Sequence, residues 1–203
     1  DHCTDQELLL RCAEAGFDSV MFDGSQRPFD ENAAICAELS KKCHIRGALL
    51  EGELGVVAGL EEHVESAVSR FTDPYLAEEF VRRTGVDALA VSVGNAHGLY
   101  QGKPELQFPL LEKIAQLCRI PLVLHGGTGI PSADLRRAVS MGVCKINVGT
   151  ELRRAYMEAV RDYANREDGT AIGLSQAIRD RIRPAAAQYL ENYRPGGDRH
   201  AAL

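Results

Sequence analysis

The chain is 203 residues long, 45% hydrophobic and 26% charged, with a formal net charge of −6. That length can bury a sizeable core and is most simply one domain, and the composition is that of a soluble protein of cytoplasmic type. An acidic balance without a clustered basic face argues against a nucleic-acid partner, no apolar run approaches the ~20 residues that cross a bilayer, and no signal peptide is visible.

The chain opens on Asp1-His2 rather than on Met, so its natural start is expected upstream. Residues 4–15 then read as a helix, with Thr4 and Glu7 spaced as a capping box. Ser19-Val20-Met21-Phe22-Asp23 reads as a strand, residues 29–43 as a helix entered through Pro28, and a second strand ends at Glu53. A helix over 74–84 follows the cap-and-proline pair Asp73-Pro74, and an apolar run from Ala88 gives a strand ending near Val93. Helices over 106–118, 132–141 and 151–163 alternate with strands ending at His125 and Val148. Gly16, Gly85 and Gly142 each close a helix and lead into the next strand. A final helix is expected up to Tyr193 from about Leu174, and residues 194–203 are expected to be a disordered tail.

Successive strand-helix units of this kind imply parallel strands with right-handed crossovers. A doubly wound sheet and a (β/α)8 barrel both satisfy the pattern. The barrel is favoured because every strand ends in a polar or chemically active residue, as at the C-terminal face of a barrel. No GxGxxG motif supports a dinucleotide. The six cysteines (Cys3, Cys12, Cys36, Cys43, Cys118, Cys144) contain no CxxC pair and read as free thiols.

Three of the six histidines fall where a metal would need them. His2 opens the chain, while His97 and His125 each close an apolar run just before glycine. Three imidazoles with an open fourth position make a catalytic type of metal site. Taken singly, His97 is as readily a hydrogen-bonded rim histidine. Gly126-Gly127-Thr128-Gly129 and Asn147-Val148-Gly149-Thr150 lie at successive helix entries, where backbone N–H groups can hold a phosphate; the plain alternative is a glycine turn. Strand parity puts Lys145 with Asn147, Glu51 with Glu53, and Met21 with Asp23, so polar groups share an inward face where they must pair or bind. An inward ion pair would satisfy the carboxylates. His44, His63 and His200 read as solvated.

Asp1-His2, Ser19-Val20-Met21-Phe22-Asp23-Gly24-Ser25, Glu51-Gly52-Glu53-Leu54-Gly55, Gly94-Asn95-Ala96-His97-Gly98, Leu124-His125-Gly126-Gly127-Thr128-Gly129 and Lys145-Ile146-Asn147-Val148 together resemble the class II, metal-dependent fructose/tagatose-bisphosphate aldolases, in order and spacing, as far as about Val160. The resemblance implies an α/β fold, a TIM (β/α)8 barrel whose first three strands are absent from this chain. Residues 1–193 would then run from the end of strand 3 through strand 8 and the C-terminal helices. His2, His97 and His125 would hold one zinc ion, with Asp23 and Glu53 as an alternate placement, and a monovalent cation is a further expectation. Asp1 would be the acid/base at the substrate C4 hydroxyl, and Glu61 the carboxylate for proton transfer at the dihydroxyacetone-phosphate carbon. Gly98, Gly126, Gly127, Thr128, Asn147, Val148, Gly149 and Thr150 would hold dihydroxyacetone phosphate, with Lys145 beside them. The family loop usually reads Gly-Gly before its carboxylate, whereas here it is Ala58-Gly59-Leu60-Glu61-Glu62. For the second phosphate, Arg153, Arg179 and Arg181 are the candidates.

The implied reaction cleaves a ketose 1,6-bisphosphate, fructose or tagatose, into dihydroxyacetone phosphate and glyceraldehyde 3-phosphate, in a homodimer or tetramer with no membrane partner. Two other readings stay open: a Schiff-base aldolase using Lys145, and an inactive metal-binding fragment or paralogue with an assembly role.

Overall fold

A computed structural model describes residues 1–193 apart from 62–63, 67–69, 99, 101 and 167, with backbone alone for 58–61 and 64–66. The tail 194–203, with His200, and also His63 lie outside the described residues.

The element order follows the expected alternation. Helix α1 (Gln6–Glu14) leads to strand β1 (Ser19–Phe22), α2 (Phe29–Ile45) to β2 (Leu49–Leu54), and α3 (Pro74–Thr84) to β5 (Ala88–Val91). Helix α4 (Phe108–Cys118) precedes β7 (Leu122–Leu124), α5 (Ser132–Ser140) precedes β8 (Val143–Ile146), and α6 (Thr150–Ala164) and α7 (Ala171–Asn192) close the chain. The five strands β1, β2, β5, β7 and β8 form one sheet in that order, every pair parallel. The order never reverses, so there is no switch point of the doubly wound kind, and the winding is that of a barrel. Beyond β1, Cys3 forms a parallel bridge with Phe22, and the Asp23 N–H donates to the Cys3 carbonyl at 2.9 Å. The first residues therefore run as a sixth, very short strand.

Each strand sends alternate side chains to opposite faces. Phe22, Leu50, Leu89, Leu122 and Leu124 meet Leu9, Leu39, Phe80, Leu111, Ile114 and Leu135 from the helices in one core. The other face is narrower and carries Met21, Ala90 and Val123. Register aligns Met21 with Glu51, and Glu53 with Ala90, Val123 and Lys145 in turn, so the polar groups named by parity do share the inner face.

Several local expectations are corrected. Asp5, not Thr4, caps α1: its carboxylate accepts from the N–H groups of Glu7 at 2.9 Å and Leu8 at 3.0 Å, satisfying two orphan donors with the charge that the helix dipole favours. Helix α7 begins earlier than expected, at Ala171 behind the Thr170 cap, and continues through Pro184. A second sheet, ordered β4-β3-β6, joins β3 (Ala58–Glu61), β4 (Val64–Ser66) and β6 (Ala96–His97). His97 thus stands on β6, parallel to β3 with Gly59 as its partner, rather than at the end of the β5 run. A left-handed turn at Gly94 (φ 100°) separates the two strands, and a Cβ there would lie 2.3 Å from the Glu105 carbonyl.

Candidate metal centre

His2, His97 and His125 arrive from three separate segments at one end of the sheet. Their ring centroids lie 4.8 Å (His2 to His97), 4.4 Å (His2 to His125) and 5.9 Å (His97 to His125) apart. One nitrogen from each lies within 4.8 Å of the others. His97 and His125 are buried, and His2 nearly so, on a backbone in the left-handed region (φ 48°) that an ordinary side chain seldom adopts.

The neighbours of two rings fix which nitrogen is available. His2 Nδ1 faces Asp23 Oδ2 at 2.8 Å and Glu53 Oε2 at 3.5 Å. A carboxylate only accepts, so Nδ1 carries the proton, and in the neutral ring Nε2 keeps the lone pair. Likewise His125 Nε2 donates to Glu51 Oε1 at 2.9 Å, leaving Nδ1, 3.1 Å from the Asn147 amide nitrogen, as the acceptor. A carboxylate on the outer nitrogen of a histidine is the usual arrangement behind a metal-ligating imidazole. This donor set fits a borderline divalent cation such as zinc. A second group, His2 with Asp23 and Glu53, has its ligand atoms equally close.

Electrostatics agree with ionised carboxylates and a neutral His125 ring. Burial pushes the Asp23 carboxyl up, but hydrogen bonds from His2 and Ser25 outweigh it and hold the group below its ordinary range. Glu51 is pushed up by burial and held down more strongly by His125 and Lys145. Burial drives the His125 ring below its ordinary value against the pull of Glu51. Asp23 is braced further by Ser25, whose N–H and hydroxyl donate to Oδ1 at 3.0 and 2.7 Å.

Asp1 sits beside this group, half-exposed, accepting from the Asn147 amide at 3.0 and 3.2 Å. Lys145 donates to Glu51 Oε2 at 2.7 Å and stands 3.9 Å from Asp1. Lys145 is committed to an ion pair, whereas an imine-forming lysine must present a free amine, which weakens the Schiff-base reading. A cavity of about 540 Å³ opens in front of these groups, lined by Asp1, Met21, Glu51, Lys145, Asn147, Val148, Gly149 and Arg153.

The two glycine-bearing loops lie against each other at its rim. Gly127 N–H donates to the Asn147 carbonyl at 2.9 Å, and a Cβ on Gly127 would meet Ile146 at 2.6 Å. Gly126, at φ 67°, passes so near the His97 loop that a Cβ would lie 2.0 Å from the Ala96 carbonyl. Gly126, Gly127 and buried Thr128 are thereby gathered with Asn147, Val148, Gly149 and Thr150, and Gly98 turns (φ 81°) directly after His97. Glu61 ends β3, and its side chain lies outside the described residues. Of the three arginine candidates, Arg153 lines the cavity, its guanidinium packed over Gly149. Arg179 pairs with Asp180 and Arg181 with Asp162 and Glu158, outside the lining. His44 is half-exposed and pairs with Asp87 at 2.8 Å. Sequence reasoning missed Tyr189 of α7, which lies beside Thr128 and Gly129, and the residues Asn95 and Tyr100. A long-range contact from an amphipathic helix leaves no local signal.

Comparison with known proteins gives a consistent result. The family model described as class-II fructose-bisphosphate aldolase matches residues 1–197. The chain is 47% identical over 162 residues to a fructose-bisphosphate aldolase of Geobacillus stearothermophilus, and 44% identical over 165 residues to the D-tagatose-1,6-bisphosphate aldolase subunit GatY of Klebsiella oxytoca. Each alignment takes in 80% of the chain, which spans only 56% and 58% of those two relatives. Among solved structures, the YdjI aldolase of Escherichia coli K12 superposes with a TM-score of 0.83 at 34% identity, over 97% of this chain and 69% of that one. The fructose-bisphosphate aldolase of Campylobacter jejuni shares the fold with a TM-score of 0.75 at 24% identity, over 95% and 69% of the two chains. Among the described residues, no helix is long and apolar enough to cross a membrane.

Proposed function

The chain belongs to the class II fructose-bisphosphate aldolase family, and from that premise we propose that the protein it forms cleaves a ketose 1,6-bisphosphate, fructose or tagatose, between C3 and C4. The observation that carries this reading is the convergence of three imidazoles from three segments beside the Asp1 carboxylate. His2, His97 and His125 would hold one zinc ion per chain, which supplies Lewis acidity to polarise the C2 carbonyl. Asp23 and Glu53 would offer the alternate placement.

The remaining work falls to the chain's own groups. Asp1 takes the proton of the C4 hydroxyl as the C3–C4 bond breaks, and glyceraldehyde 3-phosphate leaves as the aldehyde. The electron pair stays on C3, and Glu61 is assigned its protonation to dihydroxyacetone phosphate. Asn147 holds Asp1 through its amide and orients it toward the cavity. The backbone of Gly98, Gly126, Gly127, Thr128, Val148, Gly149 and Thr150, with Lys145 nearby, binds the phosphate end, converting remote binding into orientation of the reacting carbons. A homodimer or tetramer is part of the same proposal.

The test is release of dihydroxyacetone phosphate from fructose and tagatose 1,6-bisphosphates, with and without EDTA, alongside zinc analysis. Chelator-sensitive release with about one zinc per chain is the expected result, and the ratio of the two rates names the ketose. Release that survives EDTA and is trapped by borohydride would replace this reading with an imine mechanism. Zinc retained with no release in the whole protein would support an assembly role.

A further inference from the structure

Two side chains tie the segment that carries His97 to the residues that follow β7, among them His125. The Tyr100 hydroxyl accepts from the N–H of Ala96 at 2.8 Å and donates to the carbonyl of Gly126 at 3.0 Å. Buried Asn95 accepts from the N–H of Val93 at 2.8 Å and donates through its amide to the carbonyl of His125 at 3.0 Å. Ala96 directly precedes His97, and Gly126 directly follows His125. The parallel ladder between β5 and β7 pairs Leu89 with Leu122 and Ala90 with Val123, one residue short of Leu124 and two short of His125. Past that point the bridging passes from backbone to these two side chains.

We propose that Tyr100 and Asn95 are positioning residues that set the separation of His97 and His125. The physical case is that rotation of an imidazole about its side-chain bonds cannot correct a displaced backbone, and a metal site tolerates only about 0.5 Å of misplacement. Both bridges act on the backbone of the ligands or of their immediate neighbours, where a small shift reaches the ring directly. Gly126 allows the two backbones to meet, since any Cβ there would overlap the Ala96 carbonyl. The hydroxyl and the amide then hold them at that spacing. Neither group touches the substrate in this account, so their effect passes through the two histidines.

The proposal rests on the metal-site reading above, and the experiment separates the two. Cobalt(II) is titrated into the metal-free protein and into its Tyr100→Phe and Asn95→Ala variants, with the visible absorption of bound cobalt and the melting temperature of each metal-free form recorded. Tyr100→Phe keeps the ring and removes only the bridge. Both variants are expected to bind cobalt about tenfold more weakly, with altered band positions or intensities that report a changed ligand geometry. Unchanged affinity and spectrum overturn the proposal even if the metal-free melting temperature falls, because that pattern marks a purely structural role. If one variant does not fold, the other decides by the same criterion. A parent protein that binds no cobalt refutes the metal site itself, a failure distinct from that of the clasp.

Discussion

At the scale of single residues, Glu51 divides its carboxylate between two donors, the His125 ring and the Lys145 ammonium. Glutamine at that position keeps the volume but offers only one oxygen, so its amide must face a donor on one side. Either Lys145 loses its partner, or His125 moves its proton to Nδ1 and gives up the nitrogen that points into the site. Glu51→Gln is therefore expected to weaken zinc binding by about 10- to 100-fold, read by calorimetric titration. Asp1→Asn separates from it cleanly: zinc affinity stays near the parent value while turnover falls by roughly 10² to 10⁴. Equal losses of affinity in both variants would contradict the division of labour. The buried thiols give a pH test at the same scale. Burial and the Asp23 charge push the Cys36 thiol up to about 12, and burial with the Glu78 charge pushes Cys118 up to about 11. At pH 8 only about one Cys36 in 10⁴ is a thiolate, the reactive form. Alkylation should reach exposed Cys144 first and leave Cys36 and Cys118 unmodified until the chain unfolds, as peptide mass mapping would show.

At the scale of elements, the first helix is where local sequence rules choose between two neighbouring caps. Thr4 has the right spacing to Glu7, but Asp5 makes both hydrogen bonds. Asp5→Ala is expected to cost about 1 kcal/mol, and Thr4→Ala much less; denaturant titration of the two variants decides, and the reverse ranking would restore the capping box. The strands and helices of the main sheet were legible because each helix needs an apolar stripe at period 3.6 and each buried strand a short apolar run, both of which a single segment displays. The small sheet was not. Ala96–His97 and Val64–Ser66 are too short to show a period, and Ala96–His97 pairs with residues 58 and 59, 38 positions back along the chain. The site was legible to the same degree. Parity placed Glu51 and Glu53 on one inner face, yet nothing within β2 tells that Glu51 meets His125, 74 residues on. Tyr100 and Asn95 escaped for that reason too, since their bonds run to backbone groups that no residue type announces.

At the scale of the whole molecule, the metal would join three separate segments of the chain. His2 belongs to a segment that meets the sheet, among the described residues, through the Cys3–Phe22 bridge and a few hydrogen bonds, whereas His125 lies at the end of a central strand and His97 in the small sheet. A ligand that binds only the folded form stabilises it by mass action, by about 2.7 kcal/mol when its free concentration is 100 times Kd. For a chain of this size that is a rise in melting temperature of roughly 5–10 °C. Chelation should therefore lower the melting temperature by that amount, and the loss should be uneven. The Asp23 amide, whose partner is the Cys3 carbonyl, should lose protection from hydrogen exchange, because the first residues are then tethered only by their own weak contacts. Amides of Leu89 and Leu122, fully buried within the sheet, should keep theirs. Uniform loss of protection would mean that the ion stabilises the fold as a whole without acting as a local tie. No change in melting temperature or exchange on adding zinc would mean that the three histidines do not hold it.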